Sequence, residues 1–379
     1  MPVTSVTKIL ESMQNSYGLM RTLPELKLWM GERGEPFYCV GNSVVLFKIF
    51  YDNRWCAMRC YMCPPVNGAL VYGDRYYAEE LYIYSNDRSG YRIDVVLDEW
   101  IEGVTLKERV EGAVERGDHD ELKMLADGFD VMARDLLRGE WAHGDLTMEN
   151  IIVSCEGRLR LIDFDGKFIP ELEGELSPEL GTAAYQPPCR KITDFDARID
   201  DYSVALISTA LRVLSLRSEF YHTHSFYDGV LFDPMLIEKG GCEALERSIE
   251  IFLCHNMGFA YRVAMLLKNG ELRIPPLVDI FNSVGREYPE EQELHLTMQH
   301  GLVGYSTPNG QVVIPHIYDD GLEFSEGVVM VRMGESWMVV DRRGEVLRAL
   351  EGCERVKSFR GGVAKVLRKG VWEDIYRCK

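Results

Sequence analysis

The segment His143-Gly-Asp-Leu-Thr-Met-Glu-Asn150, followed by Leu161-Ile-Asp-Phe-Asp-Gly166, constrains this 379-residue chain more than any other. Asp145 and Asn150 stand five residues apart on what reads as one loop. Asp163 closes the apolar run Leu159 to Ile162, where a strand would deliver it beside them. One carboxylate that orients an attacking hydroxyl, with a second carboxylate and an amide oxygen that hold Mg2+ against phosphates, is a minimal set for phosphoryl transfer. A lone His-Gly-Asp is ordinarily only a turn, so the weight of the reading falls on what accompanies it.

Around this segment the hydrophobic period changes twice. Val6, Ile9, Leu10 and Met13 fall on one side of a short helix over residues 5–15. Val44 to Phe50 and Trp55 to Tyr61 then flank a turn at Asp52-Asn53, and Leu81 to Ser85 and Ile93 to Trp100 flank the turn-rich residues 86–90. The first hundred residues therefore predict a small antiparallel sheet. After Gly103, the spacing of Leu122, Leu125, Phe129, Met132 and Leu136 marks one face of a long helix. Val204 to Leu214 is apolar almost all round and predicts a buried one, with further helix to about residue 284. Between 300 and 379 short β-type runs alternate with glycine turns and repeat themselves. Gly310 matches Gly344, Phe324 matches Phe359, Gly327 matches Gly362 and Trp337 matches Trp372. A fixed period of this size predicts a repeat array, and with so few units it is expected to lean on the main domain. Tyr288 to Glu293 reads as a linker.

With these residues in place, the chain resembles the protein kinase superfamily over roughly residues 30–285. His143 to Asn150 is similar to that family's catalytic loop, and Asp163-Phe164 to the start of its metal-binding motif. Gly181-Thr-Ala-Ala-Tyr-Gln-Pro-Pro188 looks like the end of an activation segment, and Asp200-Asp-Tyr-Ser203 like the start of the helix that anchors the catalytic loop. The resemblance implies Asp145 as the catalytic base, Asn150 and Asp163 as metal ligands, and ATP with Mg2+ as cofactors. Ala57-Met-Arg59 falls where the family has its phosphate-binding lysine, which makes Arg59 the phosphate clamp. Gly41 stands as a remnant of the glycine-rich loop and Glu99-Trp100 as the hinge, with Asp98 at a polar position behind the pocket. The interval from Arg59 to Glu99 is short for the family, so either its regulatory helix or one strand is reduced. Glu79 or Glu80 is a candidate partner for Arg59, although solvated side chains are the plainer expectation.

Several positions depart from the family pattern. Gly144 replaces the loop arginine, as it does in kinases of small molecules such as aminoglycosides and choline; Thr147 replaces the loop lysine. Asp165 replaces a glycine, and Cys189 replaces the glutamate that closes the activation segment. Asp165 reads either as a third metal-site carboxylate or, preferably, as an exposed turn residue. Glu171, Glu173, Glu175 and Glu179 read as a solvated acidic loop. The tail resembles WG-type β repeats, through Gly304-Tyr305, Gly310, Pro315, Tyr318, Phe324 and Gly327 and then Trp337, Gly344, Phe359 and Gly362. Kinase-like segment and repeats together are similar to a bacterial arrangement.

The expected fold class is α+β: a two-lobed, protein-kinase-like fold followed by a small antiparallel β-repeat domain. Residues 1–30 form a helical extension, 31–103 a β-rich lobe, 104–285 a helical lobe, 286–298 a linker and 299–379 the repeats. The function this implies is transfer of phosphate to Ser or Thr hydroxyls of a protein, with the repeats as a contact surface for a partner protein. A pseudokinase scaffold and a small-molecule kinase are the alternatives.

Composition narrows the remaining classes. A formal net charge of −18 argues against nucleic acid, whose binding needs clustered Lys and Arg. No apolar run reaches the length of a membrane span. Ten scattered cysteines suit a reducing compartment, so a cytoplasmic location is expected. Cys60 and Cys63 form a CxxC that lacks a second pair at a zinc-site spacing. Oligomeric state is not readable from the sequence.

Overall fold

The computed structural model describes residues 4–14, 18–23, 26–31, 34–41, 43–84, 90–224, 231–255, 257–282, 293–299 and 301–377. The expected linker residues 288–292 and most of the turn at 86–90 lie outside these. The chain is mixed α+β and ends in a series of small antiparallel sheets.

A helix, α1 (Val6–Gln14), precedes a six-stranded antiparallel sheet. Its strands are β1 (Lys27–Leu28), β2 (Tyr38–Val40), β3 (Val44–Tyr51), β4 (Arg54–Tyr61), β5 (Tyr76–Ile83) and β6 (Tyr91–Glu99), in the order β1-β3-β4-β6-β5 with β2 also paired to β3. Asp52 and Asn53 both take positive φ, 49° and 59°, the left-handed pair with which a two-residue hairpin matches strand twist. The β3–β4 register therefore runs unbroken from Val44↔Tyr61 to Tyr51↔Arg54. Alternation then sorts the side chains. Val45, Phe47, Ile49, Cys56, Met58 and Cys60 are buried on one face with Ile9 and Met13 of α1, while Val44, Leu46, Ala57 and Arg59 line a cleft on the other. Between β4 and β6 the strand β5 is complete and the helix, α2 (Gly68–Tyr72), has five residues.

The next region is helical. Thr105 caps α3 (Leu106–Arg116) in a reciprocal box with Glu108, and α4 (His119–Arg138) packs against α5 (Asp201–Leu216). Every residue of α5 from Asp201 to Leu214 is buried, as its largely apolar surface requires, and Arg212 within it is paired with Asp130 of α4. A small sheet of β7 (Gly103–Thr105), β8 (Ile151–Ser154) and β9 (Leu159–Leu161) carries the loops that face the cleft. Helices α6 (Phe220–His224), α7 (Pro234–Glu238), α8 (Glu243–Cys254), α9 (Gly258–Leu267) and α10 (Pro276–Asn282) complete it. Among the described residues no helix is long and apolar enough to cross a membrane.

Three small sheets follow. The first holds β10 (His295–Gln299), β11 (Leu302–Ser306) and β12 (Val312–Tyr318). The second holds β13 (Asp320–Gly321), β14 (Val328–Met333), β15 (Ser336–Asp341) and β16 (Val346–Leu350). The third holds β17 (Arg355–Arg360), β18 (Val363–Arg368) and β19 (Val371–Tyr376). The repeated glycines sit at matching turns: Gly310 and Gly344 have φ of 80° and 81°, Gly327 and Gly362 of 80° and 78°. The second sheet straddles the repeat boundary, since β14 ends one unit and pairs with β15, which begins the next. Val303, Tyr305, Ile314, Val340 and Val346 share one apolar cluster with Ala260, Val263, Leu277 and Phe281 of α9 and α10. The repeats accordingly rest on the helical region.

Candidate active site in the cleft

His143 is completely buried. Its Nε2 faces the Ile162 carbonyl at 2.8 Å and its Nδ1 the Asp145 amide at 3.4 Å, which assigns the proton to Nε2. The ring thereby ties the loop of Asp145 to the strand end that presents Asp163. Asp200, at the N-terminus of α5, accepts from the backbone N–H groups of His143 and Gly144, the latter at 3.0 Å. Burial pushes the Asp200 carboxyl upward in pKa, while His143, those two N–H groups and Arg190 pull it back. Gly144 has φ of 84°, and a Cβ there would collide with the Gly166 carbonyl. This close approach explains why glycine stands at that position. Arg190 donates to the Gly144 carbonyl at 2.8 Å.

The rest of the loop is equally constrained. Thr147 Oγ1 accepts from the Asn150 N–H at 3.1 Å, closing the turn. Asn150 Nδ2 donates to the Asp145 carbonyl at 2.8 Å and reaches Asp145 Oδ2 at 3.3 Å. Its amide nitrogen is committed to the loop, and Oδ1 is the atom left for a ligand. Thr182 N–H donates to Asp145 Oδ1 at 2.6 Å, and Ser203 of α5 holds the same downstream segment through the Tyr185 carbonyl at 2.9 Å.

Across the cleft, Arg59 projects from β4 with its side chain only 6% exposed. It donates to Asp163 Oδ1, to Asp165 Oδ2 at 2.9 Å and to Tyr72 Oη at 2.9 Å. Burial alone would lower its pKa, but the facing Asp163, Tyr72, Tyr61 and Asp165 outweigh it and hold the guanidinium above its ordinary value. Asp165 also accepts from Tyr61 at 2.8 Å and Tyr72 at 2.5 Å. Asp165 is therefore no exposed turn residue: three donors from the N-terminal region converge on it, because the Phe164–Gly166 turn directs it back under β4. Glu79 and Glu80 do not partner Arg59. Glu80 is buried and accepts from the Thr22 and Leu23 amides at 2.7 and 2.8 Å, and Glu79 pairs with Arg21. Asp163 itself has φ of 63°, a conformation uncommon outside glycine and worth a functional question.

The cleft these groups border has a volume of about 1410 Å³, and its walls include Val44, Ala57, Leu97, Ile101, Ile152 and Ile162. Gly41, Arg59, Glu99, Asn150 and Asp163 all line it, and Asp145 adjoins through Asn150. Asp98 lines the cleft and forms an ion pair there with Arg75. Lys48 is nearly buried among Trp100, Trp55 and Trp29, with ring centroids at 4.7, 5.2 and 5.6 Å, and pairs with Glu102. It clasps β3 to the segment that links β6 to β7.

Sequence reasoning missed Glu179. Like Glu171, Glu173 and Glu175 it is an exposed residue overall, but its carboxyl lies against Gly166. Burial, and then repulsion from Asp145, Asp163 and Asp165, pushes its pKa up to about 7. Tyr61, Tyr72 and Arg75 were also unforeseen, since nothing in their local sequence distinguishes them from core or surface residues. The CxxC joins a buried Cys60 to an exposed Cys63, and no group of three or more His, Cys, Asp or Glu suited to a metal occurs among the described residues. Asn150 and Asp163 offer two hard oxygen ligands. That suits Mg2+, which keeps several waters and takes further oxygens from phosphate.

A family model for WG-containing repeats matches residues 304–337. The match covers the first repeat unit, from Gly304 in β11, and reaches Trp337 in β15, so the chain contains a WG-type repeat where the glycine and aromatic spacing expects one. No curated protein matches the chain.

Proposed function

We propose that the cleft binds ATP with Mg2+ and transfers phosphate to a hydroxyl, in a two-lobed fold of the protein-kinase kind. The observation that carries this reading is the meeting of Arg59, Asp145, Asn150 and Asp163 at one cleft, from segments up to 104 residues apart. Asp145, held by Thr182 and Asn150, orients the attacking hydroxyl and takes its proton as the new O–P bond forms and the bond from the γ-phosphorus to the bridging oxygen breaks, releasing ADP. Asn150 Oδ1 and the Asp163 carboxylate would hold the metal, which would neutralise phosphate charge. Arg59 faces the phosphates, and the apolar walls suit a planar base. The resemblance in the activation-segment and α5 residues favours Ser or Thr of a protein as acceptor. The repeats offer a surface for a partner protein.

A second reading, a scaffold without catalysis, draws on the Arg59–Asp163 ion pair, which occupies a carboxylate the metal requires. A third, a small-molecule kinase, draws on Gly144. Incubation with terminally labelled ATP, a peptide array and a panel of hydroxylated metabolites separates them. Label on peptides that disappears in Asp145→Asn supports the first reading, and label on metabolites supports the third. Nucleotide binding without any transfer leaves the scaffold.

A further inference from the structure

The three partners of Arg59 are not equivalent. Asp163 is 44% exposed at its side chain and makes one contact with the guanidinium. Asp165 is 23% exposed and is held by three donors at once, Arg59, Tyr61 and Tyr72. Tyr72 in turn accepts from Arg59, so Arg59, Asp165 and Tyr72 close a ring of hydrogen bonds that does not involve Asp163. Both tyrosine hydroxyls are kept protonated, with pKa values raised by burial, and so remain donors to Asp165. One partner is fixed and the other is open to solvent.

Resting on the phosphotransferase reading, we infer that Asp165, braced by Tyr61 and Tyr72, is the positioning residue for Arg59, and that Asp163 is an exchangeable partner. When Mg2+ and nucleotide enter, Asp163 leaves the guanidinium for the metal, and the freed N–H donates to phosphate. Asp165 keeps Arg59 in place throughout. The five-residue helix α2 contributes through Tyr72 alone, and Glu79 and Glu80 have no part in the arrangement. The ion pair that favours a scaffold is, on this view, the resting state of the clamp.

The arrangement makes a prediction of unusual sign. Removing a carboxylate beside a phosphate site ordinarily strengthens anion binding, because a repulsion is lost. If Asp165 positions Arg59, its removal weakens binding instead. The test is calorimetric titration of the full chain with a non-hydrolysable Mg-ATP analogue, using wild type, Asp165→Asn, Tyr72→Phe, Arg59→Gln and the Arg59→Gln/Asp165→Asn pair. The nucleotide-free melting temperature of each serves as the folding control. Loss of a charge-assisted bond predicts about a tenfold weaker Kd for Asp165→Asn and for Arg59→Gln, and about threefold for Tyr72→Phe. The double variant should be no weaker than the weaker single, since both act through one guanidinium. Affinity in Asp165→Asn equal to or tighter than wild type overturns the inference alone, as do losses that multiply in the double variant. Should Asp165→Asn fail to fold, Tyr72→Phe decides, and unchanged affinity there overturns the inference. A wild type that does not bind nucleotide overturns both this inference and the phosphotransferase reading.

Discussion

The cleft and the repeat sheets use polar residues in opposite ways. Around the cleft, charged side chains are buried and meet over long stretches of sequence. Arg59 reaches Asp163 and Asp165, Asp200 reaches the loop at 143–144, and Asp163 is held at positive φ without being glycine. In the repeats the interior is mainly apolar, and its buried polar residues Ser306, Thr307 and His316 are uncharged or bonded locally. Ion pairs join neighbouring strands near the surface, as between Lys365 and Asp374 or Arg368 and Glu373. Positive φ there falls mostly on glycine at the turns, with Glu326 and Lys369 as exceptions among the described residues. Buried charge and backbone strain cost stability, and the molecule brings the two together at the cleft in the buried Arg59 and in Asp163 at positive φ. Its repeats are arranged for packing.

The largest effect expected from breaking this contrast is at Asp200. Asp200→Ala strands the amides of His143 and Gly144 in a buried site, and about 4 kcal/mol of stability should be lost, measured by urea denaturation. Phosphate transfer should vanish with it. Trp337→Ala acts in the other region. Trp337 is buried with Val366 and Phe359, and its truncation should cost about 3 kcal/mol while nucleotide affinity stays at the wild-type value. A drop in affinity would mean that the repeats and the cleft are coupled, and the contrast would fail.

The smallest effect is at Glu179. Its folded-state pKa, near 7, lies above the ordinary carboxylate value, so the folded protein holds a proton that the unfolded chain gives up. Stability from this group is therefore present at low pH and declines as pH rises toward 7. Glu179→Gln should match wild type near pH 4.5 and be more stable at pH 8. Because the residue is partly exposed, the gain should stay below about 1 kcal/mol. Melting curves at the two pH values check the sign.

What the sequence made readable follows the same division. The β3–β4 hairpin, the long face of α4 and the buried α5 were evident from period alone, since each follows from local spacing of apolar residues. The repeat was evident from glycine turns, and Trp337 and Trp372 show the limit of that method. They occupy matching positions, yet Trp337 is buried while Trp372 is 41% exposed over Lys357, because burial depends on which sheet comes next. In the cleft, Arg59, Asp145, Asn150 and Asp163 could be picked out by order and spacing. Asp165 could not be given its role, because its partners Tyr61 and Tyr72 lie about a hundred residues away and carry no pattern of their own. Glu179 was hidden among neighbouring glutamates, because nothing local shows that its carboxyl lies against Gly166 and near Asp145, Asp163 and Asp165.

The most direct test of the central claim is a thermal shift with and without Mg-ATP on wild type and Asp163→Asn. A ligand that binds only the folded state stabilises it by mass action, by about 2.7 kcal/mol at a hundredfold excess over Kd. The account predicts that Mg-ATP raises the melting temperature of the wild type, that the rise requires Mg2+, and that Asp163→Asn loses it. A wild type that melts at the same temperature with and without Mg-ATP would contradict it, and the cleft would then be no nucleotide site.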